Sequence, residues 1–415
     1  MSTDFLEKLT QLDPQLAECL QLEDERQQTN LEMIASESVQ TSMALSLAGS
    51  CFNNKTAVGR PGKQRLMGSQ YADMLERLAA ERACKVFGAD HANMTPYSGS
   101  VANYCVYSAL LQTGDKVLAM DPSAGAHQTH GAPANISARL YEFSYFGLDP
   151  QTMLIDYEEA ERLAAQIKPK LMVVGSAAYS RDIDYARLAD IAHKNGALLM
   201  TDIAHFSGLV AAGLAPSPVP YADVVTASAT KTMCGPHTGF IMCKKELAQK
   251  IDDSVYPGNI SSLHLQTIAA TAYALQHSQT PQFKALMQQV INNARHFCEA
   301  LKQRGFEIVT GGTDCHMFVA DLRPFGADCA QIAQVMQDVG ITVNTKSIPH
   351  DPSPNPGGLR AGTTVLTQRG MKEAEMEEVA DIWLDIVKHP TDADVLADVH
   401  QRILSLARRF PLPEQ

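Results

Sequence analysis

The chain has 415 residues, 45% hydrophobic and 19% charged, with 34 lysines and arginines against 46 acids for a net charge of −12. That length supports about two to three structural units with a sizeable core, and the mixture excludes general disorder. The acidic balance argues against nucleic acid or an anionic membrane as the main partner, while leaving room for a local basic pocket.

Residues 1–50 read as a largely helical arm that clasps another part of the assembly. The opening MSTDFLEKLTQLD lacks the basic start and apolar core of a secretory signal. No apolar run approaches the ~20 residues needed to span a bilayer. Nine cysteines, odd in number and never in C-x-x-C spacing, fit reduced thiols used as small core residues rather than a metal site or a disulfide frame. Together these features predict a soluble, cytoplasmic protein.

From 51 to about 280 the pattern alternates. A helix over 71–87 puts Leu75, Leu78, Ala79, Ala83, Val86 and Phe87 on one side and stops at Gly88. Apolar runs at 116–120, 171–175, 197–202, 223–226 and 240–243 read as strands buried on both faces. Between them, 184–194 reads as a helix with Leu188, Ile191 and Ala192 on one face and Asn195-Gly196 as its stop. Such alternation predicts an α/β fold, a mostly parallel sheet with helices on both faces. After 280 come a long helix at 283–304, extended runs at 305–309 and 316–322, a helix at 328–339, a short extended run at 341–344, and closing helices at 372–388 and 393–409. This predicts a smaller C-terminal α+β domain, with divisions at 1–50, 51–280 and 281–415. The proline-rich stretch 350–358 reads as a rigid loop.

In a doubly wound sheet, ligands bind beyond the carboxyl ends of the strands, and three polar stretches fall there. Ser98-Gly99-Ser100 precedes a helical run, so its hydroxyls and free amides suit a phosphate at a helix N-terminus. Asp202 and His205 follow one strand. Lys231 follows another, among small residues and just before a Gly-Pro turn. This is the set that pyridoxal phosphate requires: donors for its phosphate, an acid for its pyridine nitrogen and an amine for its aldehyde. Each piece alone has a plainer reading, as a turn, a cap or a solvated side chain; their joint order within a βα array carries the weight.

The chain resembles the serine hydroxymethyltransferase family over nearly its whole length. The matching stretches are Met33-Ile-Ala-Ser-Glu37, Tyr97-Ser-Gly-Ser-Val-Ala-Asn103, His127-Gln-Thr-His-Gly131, Thr201-Asp-Ile-Ala-His-Phe-Ser-Gly-Leu-Val-Ala-Ala-Gly213, Thr230-Lys-Thr-Met-Cys-Gly-Pro236 and Gly358-Leu-Arg-Ala-Gly-Thr363. The resemblance implies an aspartate-aminotransferase-like fold of type I with a seven-stranded-type central sheet. It also implies a homodimer with shared active sites. Carried over by position, Lys231 is the covalent anchor, Asp202 the pyridinium partner, His127 the ring-stacking residue and His205 a contact of the phenolic oxygen. Ser98, Gly99 and Ser100 bind phosphate, with Ser228, Ser261 and Ser262 as further cofactor contacts. Ser36 and Arg360 hold the amino-acid carboxylate, Arg360 as a fork-shaped clamp. The plain alternatives are core histidines at 127 and 205 and a structural ion pair at Arg360.

Departures from the family cluster. Thr56 stands where the family has a tyrosine, Val58 where it has its proton-transferring glutamate, and Arg65-Leu66 where it has paired tyrosines of the folate pocket. Ala126, Gln128, Thr230, His237-Thr238 and the loop Asn259–Ser262 also differ. Valine cannot exchange protons, so His127 or His130 is the expected base for the substrate hydroxyl. A short Thr56 predicts room near Cα, hence tolerance of an α-substituted serine or a larger β-hydroxy amino acid. Three readings follow: hydroxymethyl transfer between serine and glycine with tetrahydrofolate in an uncertain role; folate-independent aldolase or transaldolase chemistry; and a catalytically silent paralogue that only binds the cofactor.

Overall fold

The computed structural model describes residues 3–413, which carry two separate main sheets. The larger has seven strands: β1 His91–Asn93, β2 Lys116–Met120, β3 Glu142–Phe146, β4 Leu171–Gly175, β5 Leu198–Asp202, β6 Val224–Ser228 and β7 Gly239–Cys243. Their order is β1-β7-β6-β5-β4-β2-β3. All neighbours from β6 to β3 are parallel, and β7 runs antiparallel to both of its partners. Every position of β4, β6 and β7 is buried, as strands sandwiched between helical layers require. Each predicted strand is present within a residue or two. The two strands that sequence pattern did not reveal, β1 and β3, lie at the sheet edges. β3 (EFSYF) is fully buried only at Phe146, so it lacks the continuous apolar run of its neighbours.

The helices that matter for the site are α1 Thr3–Leu12, α2 Pro14–Thr29, α3 Gln70–Phe87, α4 Gly99–Leu110, α5 Tyr185–Lys194, α6 Leu265–His277 and α7 Pro281–Gln303. The second sheet is antiparallel: β8 Glu307–Ile308, β9 Met317–Asp321, β10 Asn344–Lys346 and β11 Gly358–Gly362, in the order β10-β11-β9-β8. Helices α8 Cys329–Val339, α9 Glu373–Lys388 and α10 Ala393–Arg409 pack around it. Its core centres on Trp383, fully buried, with Phe297, Phe306 and Phe318 around it. α7 runs through both cores: Phe283, Met287 and Val290 pack in the larger, Phe297, Cys298 and Leu301 in the smaller. The 280/281 division predicted from sequence thus falls at the start of a helix shared by both cores.

Among the described residues of the first fifty, helix covers α1, α2 and Ser42–Ala48 only. Between them Leu31–Glu32 is extended and pairs in parallel with Ile341–Thr342. Leu31 and Met33 are fully buried in the smaller core. This stitch delivers the next residues, Ser36 and Glu37, to the cavity described below. All nine cysteines are free and six are buried. Among the described residues no helix is long and apolar enough to cross a membrane.

Candidate active site

Three backbone features converge at the carboxyl ends of β5 and β6. α4 begins at Gly99, and Ser98 caps it in an extended conformation, its Oγ accepting from the backbone N of Val101 at 3.2 Å. The N–H groups of Gly99 and Ser100, ahead of that capped position, have no helical carbonyl to bond and remain available to an anion. Gly239, the first residue of β7, lies against this turn: a Cβ there would sit 2.2 Å from the Ser98 carbonyl oxygen, so only glycine fits. β5 ends on Asp202, and the chain after β6 turns through Ala229, whose carbonyl accepts from Gly235 N at 2.7 Å, presenting Lys231.

The result is a cavity of about 320 Å³. Ser36, Glu37, Ser98, Gly99, Ser100, His127 and Asp202 line it, together with Ala204, Ser228, Thr230, Lys231, His237 and Thr238. Most of the residues singled out from sequence therefore meet in one place. Burial lowers the Lys231 amine to about 8, partly offset by Asp202, and the nearby Arg360 charge lowers it further. Lys231 forms no ion pair among the described residues, so a nucleophilic amine is available close to neutral pH.

Asp202 is only 6% exposed. Its Oδ2 accepts from Asn103 Nδ2 at 2.8 Å and lies 3.3 Å from His130 Nε2, while Oδ1 accepts from Ala204 N at 2.9 Å. Burial alone would raise its pKa; the His130 hydrogen bond and the charges of His130, His127 and Lys231 outweigh it and hold the carboxyl well below the usual range. Asn103 is fixed in turn by Thr226 Oγ1, which donates to its Oδ1 at 2.7 Å. The network keeps a full negative charge at the cavity floor.

His127 lines the cavity, and burial lowers it to about 4. Its Nδ1 accepts from Thr129 N at 3.3 Å, which leaves the ring proton on Nε2. His130 is fully buried and does not line the cavity; it stands behind Asp202, its Nδ1 without a partner. That position suits holding the carboxylate and is out of reach of a substrate hydroxyl, contrary to the role expected from sequence. His205 sits next to the cavity residue Ala204, stacked on His316 at 5.6 Å, and burial pushes it well below its ordinary value. Arg360, on β11, is not among the lining residues but stands near enough to act on the Lys231 charge: its Nε donates to Asn344 Oδ1 at 2.9 Å and its Nη1 to the carbonyl of Ala177. No carboxylate pairs with it among the described residues, so it is not a structural ion pair, and burial lowers it to about 10. A desolvated guanidinium without a counter-ion is a ready site for a carboxylate.

Thr56, Ser261 and Ser262 are not brought to the cavity. Thr56 and Ser261 are exposed, Val58 bridges Ser262, and Leu263 N donates to the carbonyl of Ala57 at 3.1 Å, so the two loops form one unit beside the site. Residues that sequence reasoning overlooked are Asn103, Thr129 and Thr226, which serve the floor, His316 behind His205, and Glu37 on the wall. An asparagine inside the apolar start of α4 was the available signal for Asn103, since a fully buried amide needs polar partners.

The family model for serine hydroxymethyltransferase matches residues 9–383. The chain is 43% identical to a serine hydroxymethyltransferase of Koribacter versatilis over 419 aligned residues, covering 100% of this chain and 98% of that one. It is 41% identical to a serine hydroxymethyltransferase of Acidobacterium capsulatum, covering 99% and 97%. The chain belongs to the serine hydroxymethyltransferase family. Members are pyridoxal-phosphate enzymes of fold type I with tetrahydrofolate as co-substrate, and the mostly parallel seven-stranded sheet with its second domain is that fold. The residues present also fit the cofactor on their own terms. A buried amine without an ion-pair partner, a carboxylate held in its ionised form and the first turn of a helix share one cavity, and glycine at 239 keeps the cradle open.

Proposed function

We propose that the chain holds pyridoxal phosphate through Lys231 and cleaves the Cα–Cβ bond of serine or a related β-hydroxy amino acid, passing on the hydroxymethyl carbon. The observation that carries this reading is the meeting of the Lys231 amine, the Asp202 carboxylate and the Ser98–Ser100 turn in one cavity. Bound there, the cofactor supplies an aldehyde for the amino group and a protonated ring that draws electrons from a Cα bond. Asp202 keeps the ring nitrogen protonated, because its own proton is held off by three donors. Ser98, Gly99, Ser100 and Ser228 hold the phosphate. His127, a neutral imidazole on the cavity wall, would hold the ring, and His205 would serve its phenolic oxygen. Arg360 and Ser36 grip the amino-acid carboxylate and so decide which Cα bond lies aligned for cleavage. His130 orients Asp202.

A homodimer with shared sites completes the reading. The loop carrying Thr56 and Val58 is flanked by Leu66, Met67, Tyr71, Met74 and Leu78, all at least 40% exposed. Tyr71, Met74 and Leu78 form one stripe of α3, an apolar face of the kind that marks a subunit interface. A second copy seated on it would bring its Thr56, Ser261 and Ser262 to the neighbouring cavity. The tolerance of α-substituted substrates expected from Thr56 depends on that delivery. Val58 leaves the folate side without its family acid, so acceptor use is the open variable.

The test is a product assay on purified holoenzyme: serine and α-methylserine, each with and without tetrahydrofolate, followed for the glycine or alanine formed and for formaldehyde. Product from neither substrate under any condition would refute cleavage. Borohydride reduction and peptide mapping locate the anchor, expected on Lys231. Sedimentation gives the subunit count.

A further inference from the structure

Cleavage of a β-hydroxy amino acid needs a group that removes the hydroxyl proton, and the cavity wall offers few. Asp202 is committed to Asn103, His130 and Ala204 N. His130 is off the wall, and a His127 ring held near 4 is a weak acceptor. Lys231 is taken up as the anchor. His237 is on the wall but exposed. Apart from Asp202, Glu37 is the single carboxylate among the lining residues. It adjoins Ser36, the proposed carboxylate contact, and its backbone N bonds the carbonyl of Ile34 at 3.0 Å in a tight turn. It also lines a second cavity of about 330 Å³, which shares Ser36, Glu37, Thr230 and His237 with the first, so it stands at the junction of the two.

The surroundings of Glu37 prepare it to exchange protons. Behind it lies Glu32, only 6% exposed, whose Oε1 accepts from Ile34 N at 3.0 Å and whose Oε2 accepts from Arg26 at 3.0 Å. Arg26 is itself clamped by Glu23 of the same helix at 2.8 Å. Burial, then the charge and hydrogen bond of Glu32, raise Glu37 to about 7, against a smaller lowering by Arg26 and a small raising by Glu23. A carboxyl poised near neutrality can take up and return a proton under working conditions.

We propose that Glu37 is the proton acceptor for the substrate β-hydroxyl in the Lys231 cavity, with Glu32 and Arg26 as the positioning pair behind it. The proposal rests on the cleavage reading above. In the step, the O–H bond breaks and its proton goes to Glu37. The O–H electron pair becomes the second bond of the C=O, the Cα–Cβ bond breaks, and its pair stays with Cα. A proton delivered to Cα then completes glycine, and serine is balanced as glycine plus formaldehyde.

The experiment compares wild-type, Glu37→Gln and Glu32→Gln holoenzymes. Glycine α-proton exchange into deuterated water needs no hydroxyl deprotonation, and the absorbance change on adding glycine reports binding alone. For Glu37→Gln, both are expected within about 3-fold of wild type while serine cleavage falls roughly 10²-fold or more. In the wild-type-minus-Glu37→Gln infrared difference spectrum, which cancels the band of Glu76, a protonated-carboxyl band that titrates near neutral pH is expected. Glu32→Gln removes the charge that raises Glu37, so the acid limb of the cleavage pH profile moves to lower pH. Wild-type cleavage rates in Glu37→Gln, or an equal loss of exchange and cleavage, would overturn the assignment while leaving the cleavage reading intact. A wild type that exchanges glycine protons but cleaves no β-hydroxy amino acid would overturn both.

Discussion

At the cavity floor, Asp202 is buried under three hydrogen bonds that come from α4, the β2–β3 connection and its own turn. On the 55–68 loop beside it, Thr56, Arg65 and Leu66 are exposed, and none of them reaches that cavity. The floor is assembled by one chain and leaves no choice of partner; the loop is held to Ser262 and Leu263 at its base and offers its tips outward. The contrast separates two jobs. Groups that must keep one charge state are locked in a low-dielectric network, whereas groups that select what enters sit where a neighbouring molecule can meet them. The departures from the family pattern at Thr56, Val58, Arg65 and Leu66 fall on the second kind of surface.

The separation can be broken most forcefully from the floor. Lys231→Ala is expected to abolish cofactor retention after borohydride and to lower turnover roughly 10⁴-fold or more, read by mass spectrometry and product assay. Asp202→Asn is expected to lower turnover roughly 10²–10³-fold. It should also make Lys231 easier to deprotonate, because Asp202 raises that amine: apoprotein should capture the cofactor faster as pH rises through about 8 in wild type, and at lower pH in the variant. Stopped-flow absorbance checks the midpoint. Arg360→Lys keeps the charge and loses the fork, so KM for the amino acid is expected to rise roughly 10–100-fold with cofactor binding unchanged.

Loop substitutions sharpen the comparison at smaller scale. Thr56→Tyr and Val58→Glu are expected to leave thermal stability within about 0.5 kcal/mol and cofactor retention intact, while changing the ratio of folate-dependent to folate-independent turnover. Loss of cofactor from either variant would show that loop and floor are not separate. An effect on stability alone, with turnover untouched, concerns Glu76 on α3, only 6% exposed, which burial raises to about 8 from the ordinary 4.5. A raised carboxyl stabilises the fold below the unfolded-state pKa and loses that contribution as pH climbs through about 8. Glu76→Gln should therefore be near neutral at pH 4 and more stable than wild type at pH 9, by about 1–2 kcal/mol in denaturant titrations.

Much of this molecule was legible in its sequence. The buried strands announced themselves as unbroken apolar runs, and helices such as α10 carried both period and ends. Asp202 and Lys231 were visible because strand ends followed by polar residues have a fixed meaning in a parallel sheet. What escaped depends on contacts distant along the chain. β3 is a polar-faced edge, and the Leu31–Glu32 strand is too short to show a period and exists only through its partner 310 residues on. Whether a histidine faces the cavity or the back of a carboxylate cannot be read from spacing: His127 and His130 differ by three positions yet stand on opposite sides of that wall. Glu37 lay inside a quoted motif, but its meaning came only once Glu32 was seen beside it.

The parallel pairing of Leu31–Glu32 with Ile341–Thr342 ties the front of the polypeptide to its far end, with Leu31 and Met33 sunk in the smaller core. Shortening the protein past that splice would therefore do more than trim an appendage. It would open the C-terminal core to water and, in the same stroke, unseat the serine and glutamate that line the Lys231 pocket.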